Sequence, residues 1–327
     1  MKSSNDVASP ARGLALPPDG QPVRWNLALP LALGGVVVAF ALPLFRLFTF
    51  ASDHELFSYI VLIPFVSAYW LWMDRAALRP GTPVRRAWAV IPVVISVALL
   101  ISFWMLRGTS LATPDGLALT TLAFVSAIGG VCLFFLPPAS LRIVAFPLGF
   151  LLFLVPFPTF LLHGVETALQ HASASMSSWI FKVIGTPVFL QGTLMQLPGF
   201  SMEVAPECSG IRSSIVLLIT SVVAGKLFLR SGWNRLLLVL LVAPVSIIRN
   251  GFRIAVIGEL CVNIGPHMID SFIHRRGGPI FFALSLVPLF AALLLMVRRE
   301  RKDARQSRGR AEGARSQDPG GKEGRSQ

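Results

Sequence analysis

The chain has 327 residues, 54% of them hydrophobic and only 14% charged. A soluble domain carries about 25% charged residues, so the composition excludes an ordinary soluble enzyme and points to a polytopic membrane protein. The formal net charge is +13, but the basic residues lie between apolar segments and after Met296, the positive-inside pattern of a membrane protein and not a patch that takes nucleic acid.

Residues 1–24 are polar and rich in Pro, Gly and Ala. They read as a flexible cytosolic leader, because no short apolar core ends at the small-residue cleavage site of a signal peptide. Hydropathy then predicts about eight spans: Asn26 to Phe48, Phe57 to Met73, Trp88 to Leu106, Leu117 to Leu136, Leu141 to Leu162, Ile211 to Leu229, Leu236 to Ile257 and Pro279 to Val297. Pro43, Pro64, Pro147, Pro156 and Pro244 mark kinks, which membrane helices tolerate. Between the fifth and sixth spans, Val165, Leu169, Ala172 and Met176 recur at helical spacing and predict an amphipathic interfacial helix over His163 to Met176. From Gly185 to Gly199, turn residues flank short β-like runs and predict a small hairpin leading into Cys208. The expected fold is an all-α polytopic membrane protein with one transmembrane domain over 25–297. Residues 298–327, low in hydrophobics and mixed in charge, read as a disordered basic cytosolic tail.

Basic residues set the orientation. Lys2, Arg12 and Arg24 precede the first span; Arg75, Arg79, Arg85 and Arg86 follow the second. Arg142 lies between the fourth and fifth, Lys226, Arg230 and Arg235 between the sixth and seventh, and Arg298, Arg299, Arg301 and Lys302 after the last. All fall on one side, the expected cytoplasm, with both termini there. Asp53, His54, Glu55, Asp115, the segment from His163 to Ser209 and that from Glu259 to Gly278 fall on the other, and Arg46, Arg107, Arg275 and Arg276 run against the trend.

Three cysteines are present, too few for a disulfide scaffold, and no CxxC or Cys/His cluster offers a zinc site. Cys132 and Cys261 lie inside apolar runs, where a cysteine is a small buried hydrophobe. Cys208 differs: it ends the polar run before the apolar stretch Ile215 to Leu229, at a membrane surface and a helix N-terminus, where a thiol can ionise and still reach a substrate. Charged residues within spans are costly, and the seventh span carries Arg249, Asn250 and Arg253. At about 1.5 Å per residue, Arg249 and Arg253 lie roughly 21 and 27 Å from Arg235, which puts Arg253 near the outer face. Asn250 and Arg253 share a helix face; each of Arg249 and Arg253 either snorkels outward to headgroups or serves a site. His274 precedes the last span on the same face, with His267 nearby. A thiol, a guanidinium and an imidazole thus converge on one membrane face, a set suited to nucleophilic acyl transfer.

These residues carry a family resemblance. Glu203-Val204-Ala205-Pro206-Glu207-Cys208-Ser209-Gly210-Ile211-Arg212-Ser213, Asn250-Gly251-Phe252-Arg253-Ile254 and Phe272-Ile273-His274 resemble, in order and spacing, the cysteine, arginine and histidine motifs of the exosortase/archaeosortase family of membrane cysteine transpeptidases. The runs Pro147 to Pro158 and Ser58 to Pro64 leading to Leu71-Trp72 add to the likeness, which covers roughly residues 30–297. It departs at Arg275-Arg276, where many relatives carry an acidic or apolar residue, and this keeps His267 as an alternative to His274. The resemblance implies Cys208 as nucleophile, Arg253 as stabiliser of thiolate and oxyanion, and His274 as general acid and base, supported by Asn250, Glu207, Ser209 and Gly210. The negative charge of Glu207 beside the thiol opposes its ionisation and makes cationic neighbours necessary. It further implies cleavage, through a thioacyl intermediate, of a C-terminal sorting signal on exported proteins: a short motif, one transmembrane helix and a basic cluster. No metal or organic cofactor is required. The expected partners are such exported proteins and membrane lipids, with no nucleic acid, and the oligomeric state is left open. A multi-span transporter and an envelope-polysaccharide assembly protein of the inner membrane are the competing readings.

Overall fold

In lipid a chain must satisfy its own backbone polar groups, so its apolar stretches become helices. The computed structural model, which describes residues 27–78, 86–106, 109–265, 267–268 and 278–316, is a succession of them. Helices α1 (Ala28–Ala39), α2 (Ala41–Asp53), α3 (Ile63–Met73), α4 (Val90–Met105), α5 (Pro114–Phe135), α6 (Pro138–Phe150) and α7 (Thr159–Ile184) lead to three strands, β1 (Phe189–Gln191), β2 (Leu194–Leu197) and β3 (Phe200–Glu203). Helices α8 (Ile211–Phe228), α9 (Gly232–Leu240), α10 (Val242–Asn263) and α11 (Gly278–Ser316) follow. Among the described residues six helical segments are long and apolar enough to span a membrane, or eight if two interrupted pairs each count as one span. The protein is therefore an all-α polytopic membrane protein, with the small sheet inserted ahead of α8.

Two of the expected spans are broken by sharp bends and two others are irregular within one continuous segment, and proline chemistry explains each site. A proline lacks the N–H that would bond the carbonyl four residues back, and its ring crowds that carbonyl. Pro43 therefore ends α1 at Ala39, and Pro244 ends α9 at Leu240. Ahead of Pro64, Glu55–Leu62 adopts the tighter 3₁₀ form before α3 begins. The predicted span Leu141 to Leu162 is corrected most: α6 passes into a 3₁₀ turn at Leu151–Leu154, and the chain breaks before Pro156 and Pro158. The amphipathic helix expected over His163 to Met176 is thus the middle of a longer one, α7, which has 26 residues and is closed by Gly185 at φ 94°. The tail, too, differs from expectation. Helix α11 continues through the segment expected to be disordered as far as Ser316, because Arg, Glu, Lys, Ala and Gln are good helix formers and Glu300 is anchored by hydrogen bonds.

The described residues pack as two compact units. In the first, drawn from Met1–Leu44, Ile63–Gly108 and Leu119–Leu154, α3 lies on α6 with Trp70 edge-on to Phe146 at 5.2 Å. The Ser96 hydroxyl, buried on α4, donates to the Ala123 carbonyl at 2.8 Å, and Cys132, Leu136 and Val144 form an apolar cluster.

The second unit, drawn from Phe45–Leu62, Thr109–Ala118 and Val155–Gln327, is organised around α7 and α10. Helix α7 buries Ser173, Ala174, Ser177, Ser178 and Phe181, the small-residue face by which membrane helices approach closely. Helix α10 answers with two glycines. A Cβ on Gly251 would stand 2.6 Å from Met176 Cγ, and one on Gly258 would stand 2.5 Å from Phe181 Cζ. The antiparallel sheet β1-β2-β3 closes over this pair. Gly192 and Gly199, at φ 64° and 85°, make its two tight turns, so the expected hairpin is extended by a third strand. Alternation then sends Met195, Leu197 and Met202 inward onto Phe181, Ile254 and Ala255. At the other end of α8, Leu217, Ala224, Leu238, Val242, Leu289 and Leu293 pack α8, α9, α10 and α11 together.

The two packing glycines predict an asymmetry. Gly258→Ala forces the fully buried Phe181 ring aside and is expected to lower stability by about 1–3 kcal/mol. Gly164→Ala, on α7 with nothing within 4 Å of its added Cβ, is expected to be neutral or to stabilise by up to about 1 kcal/mol. Thermal unfolding of the two variants in detergent checks this; equal midpoints would remove the close-packing argument.

Candidate functional site

Strand β3 runs through Val204 into a single 3₁₀ turn, Pro206–Cys208, immediately ahead of α8. The turn is closed by the Cys208 N–H on the Ala205 carbonyl at 2.8 Å and the Ser209 N–H on the Pro206 carbonyl at 3.0 Å. Pro206 suits its first position, where no N–H is needed. Gly210 then takes φ 76° to enter α8, a left-handed conformation that glycine adopts without steric cost. Upstream, the Gln170 side chain on α7 donates to the Val204 carbonyl and fixes where the strand ends.

Helix α10 holds this turn from the side. The Asn250 Nδ2 donates to the Cys208 carbonyl at 2.7 Å, and the Arg249 Nη2 to the Gly210 carbonyl at 3.3 Å. The Ser213 and Ser214 hydroxyls donate to that same carbonyl at 3.0 and 2.9 Å. Contact is close enough that a Cβ on Gly210 would meet Arg249 Nη2 at 2.9 Å and Asn250 Oδ1 at 3.0 Å. Glycine is thus required there twice over, by conformation and by space.

Cys208 is half-buried, whereas Cys132 and Cys261 are buried. With Asn250, Arg253 and Glu203 it lines a cavity of about 40 Å³ over an apolar floor that includes Val204 and Ile254. The positive end of α8 and the guanidiniums of Arg249 and Arg253 make this a region favourable to negative charge.

The structure brings together five of the residues singled out in the sequence: Cys208, Ser209, Gly210, Asn250 and Arg253. Ser209 is buried beneath the turn. Glu207 belongs to the turn, and its side chain lies outside the described atoms. His274 lies outside the described residues. His267 is exposed, with its ring against Gly265. The snorkelling alternative for Arg249 is corrected: the residue is only 7% exposed and turns inward onto Gly210. Its neighbour Asn250 was the clue to that inward face. Glu203, which opens the cysteine motif but has no role implied by it, also reaches the cavity; the period-2 alternation of β3 does not reveal it, because it belongs to the outward set.

Two more contacts gather segments expected on the outer side. The Arg212 guanidinium pairs with Glu55, and the Asp115 carboxylate accepts from the Thr159 N–H at 2.7 Å and the Thr159 hydroxyl at 2.6 Å, capping α7.

Residues 51–291 match the family described as Transmembrane exosortase (Exosortase_EpsH), a stretch that includes Cys208, Asn250, Arg253 and His274. No curated protein and no solved structure matches the chain.

Thiol accessibility follows from this geometry. A small alkylating reagent is expected to modify Cys208 and spare Cys132 and Cys261, and Gly210→Ala, which displaces the Arg249 and Asn250 side chains, is expected to change the Cys208 rate several-fold. Peptide mass spectrometry of the alkylated protein measures both; equal modification of all three cysteines would contradict the assignment.

Proposed function

The chain belongs to the transmembrane exosortase family, whose members are cysteine-type transpeptidases that process sorting signals, and we propose that Cys208 is its nucleophile, Arg253 its electrostatic stabiliser and His274 its general acid and base. The observation that carries this reading is the shared cavity of Cys208 and Arg253, with the cysteine carbonyl held by Asn250.

The proposed reaction is acyl transfer. The Cys208 thiolate attacks the scissile carbonyl carbon, forming a C–S bond and an oxyanion. Arg253 and the N-terminal end of α8 stabilise that charge. The cavity of about 40 Å³ has room for an oxyanion-sized group beside Cys208 and Arg253. Collapse of the tetrahedral intermediate breaks the C–N bond, and His274 protonates the departing amine. His274 then takes a proton from the acceptor, whose oxygen or nitrogen attacks the thioester and releases the thiolate. Water as acceptor gives hydrolysis; an amine or hydroxyl gives transpeptidation.

The substrate in this reading is an exported protein with a C-terminal sorting signal composed of a short motif, one transmembrane helix and a basic cluster. The enzyme is a multi-pass protein of the plasma (inner) membrane, with its site on the outer face and both termini in the cytoplasm. Helix α8 supports that placement. Its 18 residues begin beside Cys208 and end at Lys226 to Phe228, a rise of about 27 Å, close to the roughly 30 Å of a hydrocarbon core.

The test is processing in cells. Cys208→Ala, Arg253→Ala and His274→Ala are each expected to abolish cleavage of a signal-bearing exported protein while remaining in the membrane at normal abundance, read by immunoblot of precursor and product. Full processing by Cys208→Ala would end the proposal; full processing by His274→Ala alone would transfer the acid–base role to His267.

A further inference from the structure

At the end of α8 away from Cys208, the structure contains a second, larger cavity of about 1070 Å³. Five basic side chains line it, Lys226, Arg230, Arg235, Arg301 and Arg305, against two carboxylates, Glu300 and Asp303. One of the carboxylates is already committed. Glu300 accepts from the Arg230 N–H at 2.9 Å, the Ser231 N–H at 3.0 Å and Asn234 Nδ2 at 2.7 Å, so it occupies the anion position at the start of α9. Arg235 spends its Nε and one Nη on the Leu229 carbonyl, at 3.0 and 2.7 Å. Arg230, Arg301 and Arg305 are exposed, and their like charges crowd a single recess without enough acid to balance them.

The depth of the recess says what neutralises it. On α11 the uninterrupted apolar run ends at Val297, which lines the cavity, and charge begins at Arg298. On α8 charge begins at Lys226, in the helix's last turn, and Lys226 also lines the cavity. The cavity therefore straddles the level at which both helices leave hydrocarbon, which is where lipid phosphates lie. Its border is apolar and uncovered: Leu227 is 51% exposed and Phe228 57%, an aliphatic and aromatic rim of the kind that lies along acyl chains at an interface.

We propose that this cavity binds the phosphate headgroup of an anionic phospholipid, with Arg230, Arg301 and Arg305 forking its oxygens and the acyl chains lying along Leu227 and Phe228. Guanidiniums suit this role because they donate paired hydrogen bonds to phosphate and are held by their stems at the apolar edge. The site stands apart from the Cys208 cavity and does not depend on the proposed catalytic reading.

Native mass spectrometry of the purified, delipidated full chain tests it, with phosphatidylglycerol or phosphatidylcholine added back. Wild type is expected to bind phosphatidylglycerol at least about tenfold more tightly than phosphatidylcholine. Combined Arg230→Gln, Arg301→Gln and Arg305→Gln is expected to erase that preference, and the corresponding triple Lys replacement to retain most of it. Undiminished binding of phosphatidylglycerol by the Gln variant, or equal binding of the two lipids by wild type, would overturn the proposal. Displacement of the lipid by millimolar inorganic phosphate would overturn it as well, by assigning the cavity to a soluble anion. These side chains are exposed, so the variants fold; the Lys triple supplies the comparison at unchanged charge.

Discussion

An irregular turn at the end of a membrane-spanning helix exposes carbonyls that must be met by the protein wherever water is scarce. In this chain two successive residues of α10 meet them, Asn250 at Cys208 and Arg249 at Gly210. The position of the half-buried thiol therefore depends on the position of α10. That helix is placed in turn by its contact with α7, where Gly251 and Gly258 let it approach Met176 and Phe181. The chain of dependence runs from small residues on a helix face, through close packing, to the orientation of one cysteine. It also explains why the sheet matters: β2 and β3 cover the same α7–α10 pair and deliver the chain into the turn from a fixed direction.

The arrangement is costly, which bears on its purpose. Arg249 and Arg253 are one helical turn apart, a spacing at which like charges repel, and Arg249 is nearly buried with its Nη1 lacking a hydrogen-bond partner among the described residues. A packing role alone would be filled with less penalty by an apolar side chain. Two cations on one helix, aimed at a turn that bears a thiol, are what a site must hold if negative charge develops there during reaction. The cost is consistent with charge stabilisation, and it falls on Arg253 of the arginine motif and on Arg249 just ahead of that motif.

Much of this was legible in the sequence because membrane helices announce themselves through composition. The spans, the polar insertion before α8 and the i, i+3 relation of Asn250 to Arg253 all follow from hydropathy and period. What hydropathy cannot show is where an apolar run is broken, since Pro43 and Pro244 split helices that read as continuous. Hydropathy does not show the buried face of α7, because apart from Phe181 it consists of serine and alanine, which carry little hydrophobic signal. The charged end of α11 was misread for the opposite reason. Its composition resembles that of a disordered tail, yet Glu300 ties it to the start of α9 by contacts 66 to 70 residues distant in sequence. Arg249 needed the third dimension for the same reason: sequence could offer two destinations for its side chain, and only the position of Gly210 decides between them.

Helix α8 links the Cys208 cavity to the basic cavity. Its first turn receives the Cys208 segment and its last turn borders the basic cavity, so a single rigid rod sets the depth of both. Under the proposed reading, a substrate that crosses the membrane once and ends in a basic cluster meets both levels, its scissile bond near Cys208 and its cationic end near Arg230 and Arg301. An empty basic recess would repel that end over the distance that salt leaves unscreened, about 8–10 Å. A bound anionic headgroup would cancel the repulsion without adding an acidic side chain that pairs permanently with the neighbouring arginines. The lipid would then help to set which basic termini approach, while α8 fixes the distance between that point and the thiol.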